Sequence, residues 1–267
     1  MKSIDLNADI GEADTPEWEA AEAAILAHIS SANIACGGHA GDAASMRRTV
    51  RGALANGVVV GAHPAYPDRE NFGRRSLVLD ADIGENDLAR SLDAQLRDLM
   101  RIAAEEGARV AYVKPHGQLY NDAVGDGRKA ALIAGTVAAV DGDLVLLGGP
   151  NSEMGRAAAA HGLSFVAEGF IDRRYSDDGH LVSRKEPGAV IADQADRLDQ
   201  ARRLATTGEV RTASGAWLDI RARSLCVHGD SAGAVETARL ARAAIEAEGV
   251  RIAPFAEQTR TSQTGAT

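Results

Sequence analysis

An amphipathic helical segment, a glycine and a short β-branched run recur in this order along the chain. The pattern surrounds Gly57, Gly107, Gly162 and Gly249. A glycine just past a helix readily adopts the left-handed conformation that ends the helix. A short, mostly apolar run after a helix is typical of a buried parallel strand. The pattern therefore predicts parallel strands that alternate with helices.

Further elements are predicted from short apolar runs and from apolar residues at helical spacing. In the longest helix, for example, Leu88, Leu92 and Leu96 lie on one apolar face. The predicted strands are Ile4–Asn7, Asn33–Cys36, Leu144–Leu147 and Ser224–Val227, and the predicted helices are Glu17–His28, Ala43–Asn56, Asn86–Glu106, Lys129–Val140, Ser152–His161, Asp193–Thr206 and Ala232–Glu248.

The alternation repeats about seven times without a linker rich in Pro, Gly or Ser, which is typical of an α/β protein with right-handed crossovers. A closed barrel and an open doubly wound sheet both fit this spacing. We expect a single domain over residues 1–255. We expect a flexible tail over 256–267, because the end of the chain is polar and aperiodic.

Composition narrows the class of protein. The 267 residues are 45% hydrophobic and 25% charged, which is ordinary for a globular chain. The net charge of −9 argues against nucleic acid or an anionic membrane as a partner. Two cysteines cannot build a disulfide framework, and no apolar run has the length of a signal peptide or a membrane span. We therefore expect a cytoplasmic protein.

Polar side chains follow the predicted strands directly. Because parallel strands deliver their C-terminal ends to one face, four of the seven histidines are expected around one cavity. The four histidines are His39, His63, His116 and His228. The full set of polar residues at the strand ends is Asp5, Asn7, Asp9 and Glu12 after the first strand, His39 and Asp42 after the second, His63, Asp68, Arg74 and Arg75 after the third, Lys114, His116, Tyr120 and Asn121 after the fourth, Glu168, Asp172, Arg173 and Tyr175 after the sixth, and His228 and Asp230 after the seventh.

Some of these residues also fit structural roles. Asp42 and Asp230 each precede a predicted helix and can act as N-caps. Asp5, Asn7 and Asp9 alternate along a strand and therefore share one face. If that face is a barrel interior, its buried carboxylates need a cationic partner, and a salt-bridge layer without a catalytic role is the alternative to an active site.

The chain resembles the LamB/YcsF family in a series of segments that keep the family's order. The resemblance implies an irregular, mostly seven-stranded β/α barrel of the glycoside hydrolase and deacetylase type. Gly38 and Gln118 depart from residues that are common in the family, and neither departure removes a titratable group. The segments are DLNADIGE (5–12), SANIACGGHAGD (31–42), GAHPAYPD with FGRR (61–75), KPHGQLYN (114–121), EGFIDRRY (168–175) with LVSR (181–184), and VHGD (227–230).

The same resemblance implies a component of an ATP-dependent 5-oxoprolinase. Such an enzyme opens the lactam 5-oxo-L-proline (pyroglutamate) to L-glutamate while ATP is hydrolysed to ADP and phosphate, and this component acts with partner subunits B and C. ATP is then a co-substrate, accompanied by Mg²⁺. The chain has no P-loop motif, which is compatible with an ATP site that is shared with the partners. No tightly bound metal is predicted.

Roles for individual residues follow from their positions at the strand ends and from what hydrolysis of a lactam needs. The reaction needs cations for carboxylate and phosphate, a base for water and an acid for the leaving nitrogen. Asp9, His63, Lys114 and His116 are the predicted catalytic residues. The predicted substrate-binding residues are Asn7, His39, Asp42, Arg74, Arg75, Glu168, Arg173, His228 and Asp230.

Two other functions remain open at this point. The first is a metal-dependent hydrolase of the deacetylase type, because an aspartate with two or three histidines at strand ends can hold Zn²⁺ with an open position. No short His-x₃-His pair supports that geometry. The second is a non-catalytic subunit that binds the lactam and serves its partners as a scaffold.

Overall fold

Seven parallel strands close into a barrel in the computed structural model, which describes residues 2–229 and 233–256. Helices cover the outside of the barrel. In chain order the elements are β1 (Ser3–Ile10), α1 (Pro16–Ile25), β2 (Ser31–Ala35), α2 (Ala43–Ala55), β3 (Val59–His63), α3 (Glu85–Glu105), β4 (Val110–Val113), α4 (Gly117–Gly125), α5 (Gly127–Val140), β5 (Val145–Gly148), α6 (Glu153–Ala160), β6 (Ser164–Phe170), α7 (Gln194–Thr206), β7 (Glu209–Arg211), β8 (Trp217–Asp219), β9 (Ser224–Val227), α8 (Ala234–Ala247) and β10 (Arg251–Ile252).

Closure of the barrel comes from β1, which pairs in parallel with both β2 and β9. Asn7 of β1 lies opposite Ser31 on one side and opposite Cys226 on the other. The strands follow the order β1-β2-β3-β4-β5-β6-β9, and β10 adds to the start of β1. The predicted single-domain α/β barrel is confirmed, and the open-sheet alternative is wrong.

Each predicted helix corresponds to an observed one, although the ends differ by a few residues. The largest difference is at α1, which ends at Ile25 instead of His28. The predicted start of the last helix, Ala232, lies outside the described residues. Leu88, Leu92 and Leu96 are buried in α3, so its predicted apolar face is the one that packs on the barrel.

Two features were not predicted. The short helix α4 lies inside the KPHGQLYN segment and begins with a glycine, so it carries little helical signal. The antiparallel pair β7–β8 lies outside the barrel, and each of its strands has three residues. Strands of three residues are too short for periodicity to identify them.

The barrel interior carries an apolar cluster that includes Tyr112, Leu147 and Val166. Phe255, which follows β10, packs edge-on against Tyr112 with ring centroids 4.9 Å apart. Ala256, assigned to the predicted tail, is buried in the same cluster. Residues 257–267 lie outside the described residues, so the flexible tail stays a prediction. Among the described helices, none combines the length and apolar character needed to cross a membrane.

Candidate active site

A buried polar network links the three predicted residues of β1 to the neighbouring strands, as their shared face requires. Asn7 donates a hydrogen bond to Glu168 Oε1 at 2.9 Å. Asn33 donates to Asn7 Oδ1 and to Asp9 Oδ1, both at 2.7 Å. Asp5 lies deeper in the barrel, where the hydroxyls of Ser30, Ser31 and Ser224 all donate to its carboxylate.

Lys114 is the cation of this network. Its Nζ lies 3.0 Å from Asp9 Oδ1 and 3.0 Å from Glu168 Oε1, and 3.1 Å from Cys226 Sγ. Burial disfavours the ammonium, but Asp9, Cys226 and Glu168 outweigh it and hold the pKa of Lys114 well above its usual value. Lys114 is therefore a fixed positive charge at the C-terminal end of β4.

Three histidines from different strand ends converge on Glu12. His39 Nε2 lies 2.8 Å from Glu12 Oε1, and His116 Nδ1 lies 3.3 Å from the same oxygen. His63 Nε2 is 4.0 Å from Glu12 Oε1 and 3.4 Å from Asp9 Oδ1. Burial would raise the pKa of Glu12, but its close contacts with the imidazoles of His116 and His39 hold that pKa well below its usual range. Glu12 is thus an ionised centre for the cluster.

Backbone carbonyl groups orient two of these imidazoles. His63 Nδ1 lies 2.7 Å from the carbonyl oxygen of Lys114, and His116 Nε2 lies 3.0 Å from that of Phe72. The loop of Phe72 approaches closely because Gly117 has a positive φ of 57°, and a Cβ there would lie 2.8 Å from the Gly73 oxygen. Glycine at position 117 therefore lets His116 reach this loop.

Two pKa shifts separate the roles of groups in the cluster. Burial raises the pKa of the Asp9 carboxyl, but His63 and Lys114 outweigh it and hold that pKa well below its usual value. Burial lowers the pKa of His39 to about 4, despite its hydrogen bond to Glu12. At neutral pH, Asp9 is therefore an anion and His39 is a neutral imidazole.

His228 forms a separate pair with Asp172. Its Nδ1 lies 2.8 and 2.9 Å from the two carboxylate oxygens of Asp172, and its ring stacks on Phe170 with centroids 5.5 Å apart. Burial would raise the pKa of Asp172, but His228 holds it below the usual value. The carboxylate thus orients the imidazole, as in other catalytic dyads in which an acid fixes the tautomer of a base.

A cavity of about 660 Å³ opens above these groups. Asp9, His63, Lys114, His116, Glu168, Arg173 and His228 all line it. Its wall also includes Tyr120. The Tyr120 hydroxyl and Glu168 Oε2 are both buried, and neither has a hydrogen-bond partner within the described residues. Arg173 donates to the carbonyl oxygen of Val182, and burial together with the nearby Arg184 lowers its pKa to about 10.

Some of the other predicted site residues line a second cavity or no cavity. His39 and Asp42 line a second cavity of about 670 Å³, and Arg74 and Glu12 line both cavities. Asp42 caps α2 by accepting from the backbone N–H of Ser45, which confirms its N-cap role. Arg75 is exposed, lies 4.0 Å from Asp68 and lines neither cavity. Its role in substrate binding stays a prediction that the geometry does not support.

Asp230 lies outside the described residues. Glu12, Asp172 and Asn33 are among the residues of the site that were not assigned to it from the sequence. Glu12 and Asp172 were recognised as polar residues at strand ends. Their position at the strand ends was the signal that could have assigned them to the site. Asn33 lies on β2 opposite Asp9, a register that only strand pairing reveals.

Sequence and structure comparisons agree on the relatives of this chain. The family model described as LamB/YcsF family matches residues 4–260. The chain is 46% identical over 253 residues to the A subunit of 5-oxoprolinase from Paracidovorax citrulli, and the match covers 95% of this chain and 99% of that protein. It is 44% identical over 256 residues to an A subunit of 5-oxoprolinase from Agrobacterium fabrum, with coverage of 96% and 99%.

A solved structure shows the same similarity in three dimensions. The lactam utilization protein from Thermus thermophilus is 36% identical to this chain and superimposes with a TM-score of 0.85. The match covers 95% of this chain and 99% of that one. The barrel, and not only the motifs at the strand ends, is therefore shared.

Proposed function

Because this chain belongs to the LamB/YcsF family, we propose that it is the A subunit of a 5-oxoprolinase. In this proposal the chain hydrolyses 5-oxo-L-proline to L-glutamate, with ATP hydrolysed to ADP and phosphate, in a complex with subunits B and C. The names of the relatives support the activity and imply other subunits in their complexes. The cytoplasmic location expected from the sequence also remains a prediction.

The placement of Lys114 is the observation that carries the proposal. A five-membered lactam is resistant to hydrolysis because amide resonance weakens the electrophile and makes nitrogen a poor leaving group. Lys114 supplies a buried positive charge, held by Asp9 and Glu168, on the wall of a cavity that fits a small molecule. Such a charge stabilises the negative charge of the phosphoryl group on the activated amide oxygen.

Acid–base chemistry is available on both sides of Lys114. We assign activation of water to the cluster of Asp9, Glu12, His63 and His116, whose atoms lie within 4.8 Å of one another. We assign protonation of the leaving nitrogen to His228, because Asp172 keeps its Nδ1 occupied and His228 also lines the cavity. Arg173, on the same wall, is the partner for the substrate carboxylate.

The role of ATP is to activate the amide. Transfer of its γ-phosphoryl group to the amide oxygen would make the ring carbon electrophilic. Water would add to that carbon, and the ring C–N bond would break as the nitrogen takes up a proton. A second water would then hydrolyse the resulting acyl phosphate to glutamate and phosphate. The absence of a P-loop motif from the sequence supports an ATP site, with its Mg²⁺, that lies wholly or partly on the partner subunits.

Reconstitution tests this function. The chain is purified alone and with subunits B and C, and release of ADP and of glutamate from 5-oxoproline is measured with and without ATP. We expect coupled release only from the complete complex with ATP. Hydrolysis by the chain alone without ATP would contradict the proposal and favour a simple hydrolase. Full turnover by B and C alone would show that the chain is not catalytic.

A further inference from the structure

In the cluster of Asp9, Glu12, His63 and His116, one ring nitrogen of His63 faces one ring nitrogen of His116. Carbonyl oxygens only accept hydrogen bonds, so the contacts of His63 Nδ1 and His116 Nε2 with backbone carbonyls place protons on those two nitrogens. In the neutral rings, His63 Nε2 and His116 Nδ1 then carry lone pairs. These two nitrogens lie 3.0 Å apart, so two acceptors face each other in a buried position.

Two carboxylate oxygens lie next to these two nitrogens. Glu12 Oε1 lies 3.3 Å from His116 Nδ1, and Asp9 Oδ1 lies 3.4 Å from His63 Nε2. Ligands that bind a tetrahedral Zn²⁺ at about 2.0–2.2 Å are themselves separated by about 3.3–3.6 Å. Three of the distances between neighbouring donor atoms are therefore already close to the spacing that a metal ion would require, and all four atoms lie within 4.8 Å of one another.

The electrostatics of the cluster favour a cation there. Asp9, Glu12 and Glu168 bring three carboxyl groups to this end of the barrel, and Lys114 pairs with two of them, Asp9 and Glu168. Buried charge is costly unless it is compensated. A divalent cation between Asp9 and Glu12 would compensate these two carboxylates.

The surroundings are also those of a metal site. Ligating histidines nearly always donate their other ring N–H to a carbonyl or a carboxylate, which fixes the tautomer and the ring orientation. Both His63 and His116 do so. Glu12 is further held by His39 Nε2 at 2.8 Å, and Asp9 by Asn33 at 2.7 Å.

We propose that Asp9, Glu12, His63 and His116 form a binding site for a first-row divalent transition metal, with Zn²⁺ as the reference ion. Two nitrogen and two carboxylate oxygen donors suit such an ion better than Mg²⁺ or Ca²⁺, which prefer oxygen alone. The sequence by itself predicts no tightly bound metal, whereas the geometry of these four residues favours one. A bound ion here would lower the pKa of a coordinated water to about 7.

The site itself does not rest on the proposed lactam chemistry, although its use in activating water does. Metal binding is therefore tested on the chain alone, without partner subunits, lactam or ATP. Tag-free protein is stripped with EDTA, freed of chelator and titrated with ZnCl₂ and CoCl₂. Stoichiometry is measured by elemental analysis, affinity by calorimetry, and coordination by the visible absorption of Co²⁺.

We expect one equivalent of metal and a rise of the melting temperature with Zn²⁺. His63→Gln and His116→Gln should each weaken binding by more than about 100-fold, since even the loss of an outer hydrogen-bonded partner costs about 10–100-fold. The matched control is His161→Gln, a histidine that contacts its own helix at Ala157 and should bind as the unsubstituted chain does. Circular dichroism checks that the variants fold.

Three results would overturn the proposal. One is substoichiometric binding by the unsubstituted chain, which is decisive even if the variants do not fold. Another is an equal loss of affinity in His161→Gln. The third is loss in His228→Gln with retention in His63→Gln and His116→Gln, together with a Co²⁺–thiolate band, which would place the ion at the alternative group of Asp9, Cys226 and His228.

Discussion

His39 and His116 stack with parallel rings, and their centroids lie 3.5 Å apart, although they follow different strands. Both rings contact the same oxygen of Glu12. His63 stands edge-on to both, with centroids 5.6 and 4.8 Å away. The two stacked rings therefore hold the Glu12 carboxylate in place beside the site.

Removal of an imidazole from this cluster tests the proposed function. His116→Ala should reduce glutamate formation by the reconstituted complex by about 10²–10⁴-fold, the usual contribution of a group that takes part in proton transfer or water activation. The measurement is kcat with saturating 5-oxoproline and ATP, beside a melting curve for the variant. His161→Ala is the matched control, and near-normal turnover in His116→Ala would refute the assignment.

The pair of Asp172 and His228 makes a separate prediction. Asp172→Asn keeps the shape of the side chain but no longer holds the imidazole as an ionised partner, so kcat should fall by at least about 10²-fold while KM changes little. Asp199→Asn, on the exposed face of α7, is the control. A kcat within about twofold of the unsubstituted enzyme would contradict the assignment.

Asp5 predicts a pH dependence of stability. Burial raises its folded-state pKa from 3.8 to about 6, although three serine hydroxyls partly oppose the shift. The folded state then binds the proton more tightly than the unfolded state does. The contribution is complete below the unfolded pKa and is lost as the pH rises through about 6.

Between pH 4 and pH 7, the free energy of unfolding should therefore fall by about 2 kcal/mol more in the unsubstituted protein than in Asp5→Asn, from a shift of about two pKa units that is already partly expressed at pH 4. Urea unfolding at a series of pH values measures this difference. Parallel curves for the two proteins over this range would show that Asp5 is not perturbed.

Gly61 on β3 faces the ring of Tyr112, and a Cβ at this position would lie 2.1 Å from it. Tyr112 cannot move away easily, because it is fully buried and its hydroxyl donates to Asn33 at 2.6 Å. Gly61→Ala should cost about 1–3 kcal/mol or more, as overpacking in a core does. Gly142→Ala, which has open space around it, is the control, and equal midpoints of urea unfolding for the two variants would contradict this packing.

Much of the architecture can be predicted from local pattern. The alternation of helices and strands is visible because helical spacing and short apolar runs need no knowledge of distant residues. The polar residues at the strand ends are visible for the same reason, and the cavity indeed brings together Asp9, His63, Lys114 and His116. The pair β7–β8 was missed because strands of three residues carry no periodic signal. The helix α4 was missed because it begins and ends with glycine, which is a poor helix former.

The sequence by itself determined the order of the elements, the parallel strands and the residue types that the site offers. Only the tertiary structure decided that β1 meets β9, because closure depends on register and tilt summed around the barrel. Only the tertiary structure separated Arg75 from the cavity and joined Asp172 to His228. Protonation, tautomer and charge balance depend on distances of a few ångströms between groups far apart in the chain, and folding alone sets those distances.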